Sequence, residues 1–169
     1  MRKSCILFVL VSFSLVLFFA VHIVKAEEVQ FDRFACGSAT LTPVSLEKGV
    51  KTFSFDMKGI SWDNKGEDFA GAATMHCVGV LKILGGEKTS NGYCKFMDSE
   101  GTRDYEYTKI NDESTFTYIG GTGKYEGITG GGKSKTLTKA KPIVKGTFQS
   151  CARGTGTWKL AEKMKSKEK

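Results

Sequence analysis

The strongest constraint on the fold is an alternation of apolar and polar residues that recurs along most of the chain. In KTFSFDMKG, Phe53, Phe55 and Met57 alternate with polar residues, and RDYEYTKI and STFTYIG follow the same period of two. Successive side chains of a β-strand point to opposite faces, so each run predicts a strand with one apolar, mostly aromatic face. Only the short stretch after Trp158 has any helical pattern.

Clusters of turn-forming residues separate the alternating runs. They are rich in Gly, Asn, Asp and Ser, the residues that tight turns favour: WDNKGED, GGEKTSNG, MDSEGT, INDES, GGTGKYEG and TGGGK. About eight short strands, spaced by roughly 8–12 residues, predict an all-β sandwich or barrel. A single closed or nearly closed antiparallel β-barrel is the simplest solution, because closure removes exposed strand edges. A sandwich with the same strand order is the alternative.

One glycine cluster also fits a nucleotide-binding pattern. GITGGGKS, Gly127–Ser134, matches G-x-x-x-x-G-K-[ST]. That loop binds phosphates because a helix follows it and turns its N-terminus toward them. Here SKTLTKAKPIV follows, which is rich in β-branched residues and is interrupted by Pro142. We therefore expect no nucleotide partner, and we expect Lys133 and Ser134 to begin a strand.

The same region resembles a known family signature. FTYIGGTGKYEGITGGGKSKTLT, Phe116–Thr138, is similar to the strand–turn–strand motif of the allene oxide cyclase and dirigent-like barrels, in particular their small exported bacterial relatives. The resemblance implies an eight-stranded antiparallel barrel with an apolar, partly polar-lined cavity. It also implies that Tyr125 packs into the barrel while Lys124 and Glu126 point outward. No pocket residue of the cyclases can be placed on this chain, so the resemblance concerns the fold more than the chemistry.

The N-terminal segment has the layout of a secretory signal peptide. Arg2 and Lys3 precede an apolar run over residues 6–24, and small residues lead to a predicted cleavage after Ala26. The run is long enough for an uncleaved membrane anchor to be the alternative. We expect a signal peptide over 1–26, a barrel domain over 27–158 and a lysine-rich tail over 159–169. The product would be exported, periplasmic or secreted, with no stable membrane insertion once the leader is cleaved.

The net charge of the chain is concentrated at its ends. Three of the 25 basic residues lie in the predicted leader, which leaves 22 against 18 acidic residues, and the tail KLAEKMKSKEK carries five lysines and two glutamates. Nucleic-acid binders concentrate Lys and Arg on a folded face. A short basic terminus is usually solvated, so no nucleic-acid partner is expected.

Four cysteines follow the leader: Cys36, Cys77, Cys94 and Cys151. An even number in an exported chain predicts two disulfides. The pairing Cys77–Cys94 is favoured because the turn-rich Gly85–Gly92 lies midway between the two and would fold the chain back. Cys36 would then pair with Cys151, although the other two connectivities remain possible. No C-x-x-C pair is present, so no metal site is predicted.

Catalytic chemistry has few candidates in this sequence. His76 is the only histidine after the leader, and its place in TMHCV fits a strand residue with an ordinary hydrogen bond. The following acids mostly sit in or beside turns, where solvation or capping explains them: Asp56, Asp63, Glu67, Asp68, Asp98, Glu100 and Asp104. We assign no catalytic residue and no cofactor.

Three functions fit an exported barrel of this size. The first two are a binding module for a small apolar or amphipathic molecule and a structural protein with a fully packed interior. The alternative is a cyclase or isomerase that encloses an apolar substrate, and whether the chain is an enzyme stays open. The candidate ligand-binding residues are aromatic side chains of the predicted interior or mouth: Phe53, Phe55, Trp62, Tyr105, Tyr107, Phe116 and Tyr118.

Overall fold

The structure, a computed structural model, describes residues 28–64, 71–140 and 142–161. The predicted leader, residues Glu67 and Asp68, and positions 162–169 of the predicted tail lie outside the described residues. The described chain forms eight β-strands: β1 (Glu28–Ser45), β2 (Val50–Asp63), β3 (Ala73–Leu84), β4 (Glu87–Asp98), β5 (Gly101–Ile110), β6 (Glu113–Gly121), β7 (Thr129–Ala140) and β8 (Thr147–Lys159). Within these residues, no helix is long and apolar enough to cross a bilayer.

The strands form one closed antiparallel barrel. Each strand pairs with the next along the chain, and β8 pairs with β1, so the sheet has no free edge. This closure confirms the predicted barrel and excludes the sandwich. The turns β1–β2, β3–β4, β5–β6 and β7–β8 lie at one end, which we call the mouth. The connections β2–β3, β4–β5 and β6–β7 lie at the other, which we call the closed end.

Period-two alternation places the core inside the barrel. On β3, Ala73, Met75 and Cys77 are buried, whereas the intervening Thr74 and His76 are exposed. The buried cluster runs across three neighbouring strands: Phe55, Ala73, Met75, Cys77, Cys94 and Phe96. The alternation seen in the sequence therefore corresponds to an inward apolar face and an outward polar face.

Both predicted disulfides are present. Cys77–Cys94 joins β3 to β4 inside the barrel, where both cysteines are buried. Cys36–Cys151 joins β1 to β8 across a sequence separation of 115 residues, at directly paired positions. The second bridge therefore fixes the seam at which the first and last strands close the barrel.

The glycine-rich segment forms the cover of the closed end. On β6, Tyr118 pairs with Tyr105 and Gly120 pairs with Asp104, so Ile119 forms a bulge. One turn of 3₁₀-helix (Gly123–Tyr125) follows, and β7 begins at Thr129, with Lys133 and Ser134 within it. Tyr125 and Ile128 are buried, while Lys124 and Glu126 are exposed, as the family resemblance implies.

Candidate ligand cavity

The barrel encloses a cavity of about 430 Å³, with lining residues on all eight strands. This volume lies within the range of small-molecule sites, roughly 300–1,000 Å³. Toward the mouth the lining reaches Lys88, Asn111 and Ala140. Toward the closed end it includes Arg33, Ser61 and Arg103. The interior is thus a space with two polar ends and an apolar middle.

One wall of the cavity is aromatic and is centred on Tyr105. The ring of Tyr105 stacks on Phe96 with a centroid distance of 5.3 Å and lies 4.8 Å from Phe116. Tyr118 meets Tyr105 edge-on at 6.2 Å, and Phe31 lies 6.0 Å from Phe116. These distances lie in the range of favourable ring contacts, so the rings hold one another in fixed orientations.

A second wall of the cavity is sulfur-rich and, apart from Phe55, aliphatic. It consists of side chains from β1 to β4: Leu41, Phe55, Met57, Met75, Leu81 and the disulfide Cys77–Cys94. Methionine is flexible and its sulfur is polarisable, so this wall can adapt to ligands of different shapes. A molecule in the cavity would contact both fixed rings and adaptable side chains.

Glycines on the inner face make room for the aromatic rings. A Cβ atom at Gly156 would lie 2.9 Å from Cζ of Phe31, and one at Gly132 would lie 3.0 Å from Cζ of Phe116. Both distances are shorter than ordinary van der Waals contact. The glycines of β7 and β8 therefore permit the close approach of ring and backbone.

The tyrosine hydroxyls of the cavity remain protonated at neutral pH. Burial raises the pKa of Tyr107 to about 12, and it raises the pKa of Tyr105 still further. Burial also raises the pKa of Tyr118, although the charges of Arg103 and Arg33 act in the opposite direction. The three phenols can accept or donate hydrogen bonds, but they carry no charge that could attract a cation.

The closed end is held by a network of charged side chains. Asp98 Oδ2 accepts hydrogen bonds from Arg103 Nη2 at 3.0 Å and from the Tyr125 hydroxyl at 2.9 Å. The Arg103 guanidinium also lies 4.6 Å above the centre of the Tyr125 ring. Burial alone would raise the pKa of Asp98. Hydrogen bonds from the Glu100 backbone N–H and the Tyr125 hydroxyl, with the charge of Arg103, lower this pKa overall.

The mouth is lined by hydroxyl groups and lysines. The hydroxyls of Ser114 and Ser134 are 2.6 Å apart, and Lys109 Nζ donates to the Thr136 hydroxyl. Lys88 is exposed at the rim. This end is therefore polar and only partly buried, whereas the Arg103 and Asp98 side chains at the closed end are 6% and 11% exposed.

Five of the seven predicted ligand-binding residues line the cavity: Phe55, Tyr105, Tyr107, Phe116 and Tyr118. Phe53 occupies the same face of β2, nearer the mouth, but is not among the lining residues. Trp62 lies on the outer face of β2, with its ring 5.9 Å from Phe34. The reason is the strand period, since Ser61 points inward and the next residue must point outward. Trp62 is therefore not among the lining residues of the cavity.

Arg33, Ser61 and Arg103 also line the cavity but were not predicted as site residues. A usable signal was present for Arg103, which shares the parity of Tyr105 and Tyr107 in RDYEYTKI. Arg33 likewise lies on the same face of β1 as Phe31 and Ala35, two residues from each. Inward arginines are not expected from a hydrophobic pattern, because a buried charge requires partners that only the tertiary structure shows.

The remaining candidates for chemistry lie elsewhere. His76 is on the outer face, where its Nε2 lies 3.2 Å from Oδ1 of Asp56 and both side chains are half exposed. In the described part of the chain, no three His, Cys, Asp or Glu side chains are grouped as a metal site would require. The cavity is therefore the candidate functional site of the described chain.

Comparisons with known proteins agree with this architecture. No protein-family model matches the chain, and no curated protein matches it either. The solved structure of the pterocarpan synthase dirigent protein GePTS1 superimposes with a TM-score of 0.51 at 12% sequence identity, over 81% of this chain and 94% of that one. The chain has a dirigent-like fold. A second pterocarpan synthase dirigent protein, PsPTS1, gives a TM-score of 0.49 at 10% identity, over 82% and 99% of the two chains. Identities this low concern the fold alone, and the relation to allene oxide cyclases stays a prediction.

Proposed function

We propose that this chain is an exported binding protein that holds one small amphipathic molecule inside its barrel. The observation that carries the proposal is the cavity of about 430 Å³ between an aromatic and a sulfur-rich wall. An eight-stranded barrel can be filled entirely by its own side chains, so an interior space of this size favours a ligand over a purely structural role. The polar ends of the cavity favour an amphipathic molecule over a hydrocarbon.

Export to the periplasm or the cell exterior is part of the proposal. Two disulfides persist in oxidising compartments and are rare in the cytosol. The predicted leader points to the same compartment. A binding protein in this setting would meet small molecules outside the cytoplasm.

Binding is favoured over catalysis by the groups that face the cavity. A cyclase or isomerase usually needs a group that moves a proton at the substrate. The described lining residues include no carboxylate and no imidazole, and the tyrosines have raised pKa values. The two lysines of the lining, Lys88 and Lys109, lie at the mouth, away from the apolar middle of the cavity. His76 lies on the other side of the barrel wall. The cavity is better suited to hold a molecule than to transform it.

A fluorescence titration with the neutral dye N-phenylnaphthylamine tests the proposal. Gly154 lines the cavity, and a Cβ atom there would lie at ordinary contact distances: 3.7 Å from Ser134 Cβ, 3.8 Å from the Lys133 carbonyl oxygen and 4.0 Å from Phe116 Cε1. Gly154→Leu should fill part of the cavity and weaken dye binding roughly tenfold or more, a loss of about 1.4 kcal/mol.

The matched control is Thr155→Leu, which adds an apolar side chain at an exposed neighbouring position on β8. This variant should bind the dye like the wild type. Circular dichroism should show the same sheet signal for all three proteins. Absence of saturable binding to the wild type would overturn the proposal, as would equal weakening by both substitutions.

A further inference from the structure

Two arginines lie at the end of the cavity farthest from the mouth. Arg33 and Arg103 both line the cavity, and their side chains are only 12% and 6% exposed. Burying a guanidinium is costly unless its charge and its N–H groups are compensated. Two buried cations at one end of an otherwise apolar cavity therefore require an explanation.

The acidic partners of Arg33 and Arg103 accept hydrogen bonds from only some of the N–H groups of the two arginines. Arg33 Nε is 2.9 Å from Asp63 Oδ1, but the Asp63 side chain is 42% exposed, so water screens its charge. Asp98 is shared between Arg103 and the Tyr125 hydroxyl. Within the described residues, Arg33 Nη2 also donates to the backbone carbonyl of Gly71. A guanidinium carries five N–H donors, so both arginines keep donors for a further acceptor.

The two guanidinium groups also act on each other. Burial lowers the pKa of Arg33, and the positive charge of Arg103 lowers it further. Both arginines influence Tyr118, whose ring forms part of the aromatic wall. The buried Ser61 lines the same end of the cavity. Positive charge, a hydroxyl and a phenol thus occur together at the inner limit of the cavity.

We propose that Arg33, Arg103, Ser61 and Tyr118 form a binding site for the anionic head group of the ligand, such as a carboxylate or a sulfonate. We call this group the arginine floor. The inference rests on the proposed function and specifies its ligand as an amphipathic anion. The head group enters first and contacts the arginine floor, and the apolar part lies between the aromatic and sulfur-rich walls. Guanidinium groups suit this role because their planar donors match the two oxygens of a carboxylate.

The lysines at the mouth are weaker candidates for the same role. Lys88 is exposed, and Lys109 already donates to the Thr136 hydroxyl. Charges in contact with water are screened, whereas those in a desolvated site act more strongly on a ligand. An anion at the mouth would also leave the buried arginines without an additional partner.

Two dyes that share one ring system test the arginine floor. Anilinonaphthalene sulfonate has the same rings as N-phenylnaphthylamine and adds only a sulfonate group. We expect the wild type to bind the sulfonate roughly tenfold or more tightly, because hydrogen bonds to charged groups exceed those between neutral groups. Equal affinity, or tighter binding of the neutral dye, would overturn the inference.

Two single substitutions test which residues cause the tighter binding of the sulfonate dye. Arg33→Gln should abolish the preference for the sulfonate and leave the affinity for the neutral dye within about twofold, while Lys88→Gln should retain the preference. Loss of the preference in Lys88→Gln instead would overturn the arginine floor. If Arg33→Gln does not fold, the wild-type comparison of the two dyes decides alone. If the wild type binds both dyes with equal affinity, only the arginine floor is contradicted. If it binds neither dye, the proposed function is contradicted as well.

Discussion

The two ends of the barrel use polar residues in different ways. At the closed end, Asp98, Arg103 and Tyr125 form a buried network that holds the 3₁₀ turn over the strands. At the mouth, Ser114 and Ser134 pair two neutral hydroxyls in a partly buried position. A buried polar group left without a partner costs much more than a solvated one. The closed end should therefore determine stability, while the mouth remains free to admit a ligand.

The largest effect should follow removal of the Asp98 carboxylate. Asp98→Ala leaves the Arg103 charge buried without its acidic partner. It also removes the nearer acceptor of the Tyr125 hydroxyl, which keeps only the longer, 3.4 Å contact with Glu100 Oε2. Breaking a buried ion pair from one side costs about 3–5 kcal/mol. Urea unfolding of the oxidised protein should show this loss. A loss of under about 1 kcal/mol would mean that the closed end is no more critical than the mouth.

Acidic pH should lower the stability of the protein by protonating Asp98 at the closed end. The pKa of Asp98 is lower in the folded protein than its ordinary value of 3.8. Its stabilising contribution is therefore present above about pH 4 and is lost as the pH falls through the lower folded value. The Tm difference between wild type and Asp98→Asn should shrink with acidification over this range. A difference that stays constant would show that the ionised carboxylate contributes nothing.

The smallest effect should come from a hydroxyl at the mouth. Ser114→Ala removes the 2.6 Å contact with Ser134, which joins two neutral hydroxyls and leaves no charge without a partner. We expect a loss of about 1 kcal/mol or less in the free energy of unfolding. The same urea experiment measures it. A loss as large as that of Asp98→Ala would remove the distinction between the two ends.

The architecture was accessible from the sequence because it depends on local patterns. Alternation in KTFSFDMKG and RDYEYTKI gives the strands, and the turn cluster between Cys77 and Cys94 gives one disulfide and, by elimination, the other. The family resemblance supplied the burial of Tyr125. Apart from the Cys36–Cys151 bridge, which follows by elimination, these inferences use residues that are close together in the chain.

The cavity and its ends depend on register and closure, which local patterns do not contain. Arg33 faces Asp63 only because β1 and β2 pair at those positions, and Arg103 reaches Asp98 across the turn between β4 and β5. Ser61 points into the barrel, so the next residue of the strand, Trp62, points outward and packs against Phe34. The size of the interior space follows from the packing of all eight strands together.

Native mass spectrometry of the protein purified from its own host tests the central claim most directly. We predict a wild-type species that carries one additional small-molecule mass, which is lost on denaturation and is absent from Gly154→Leu. Thr155→Leu should retain it. A wild-type spectrum with the mass of the chain alone, from protein that also fails to take up the neutral dye, would contradict the account of the barrel as a binding protein.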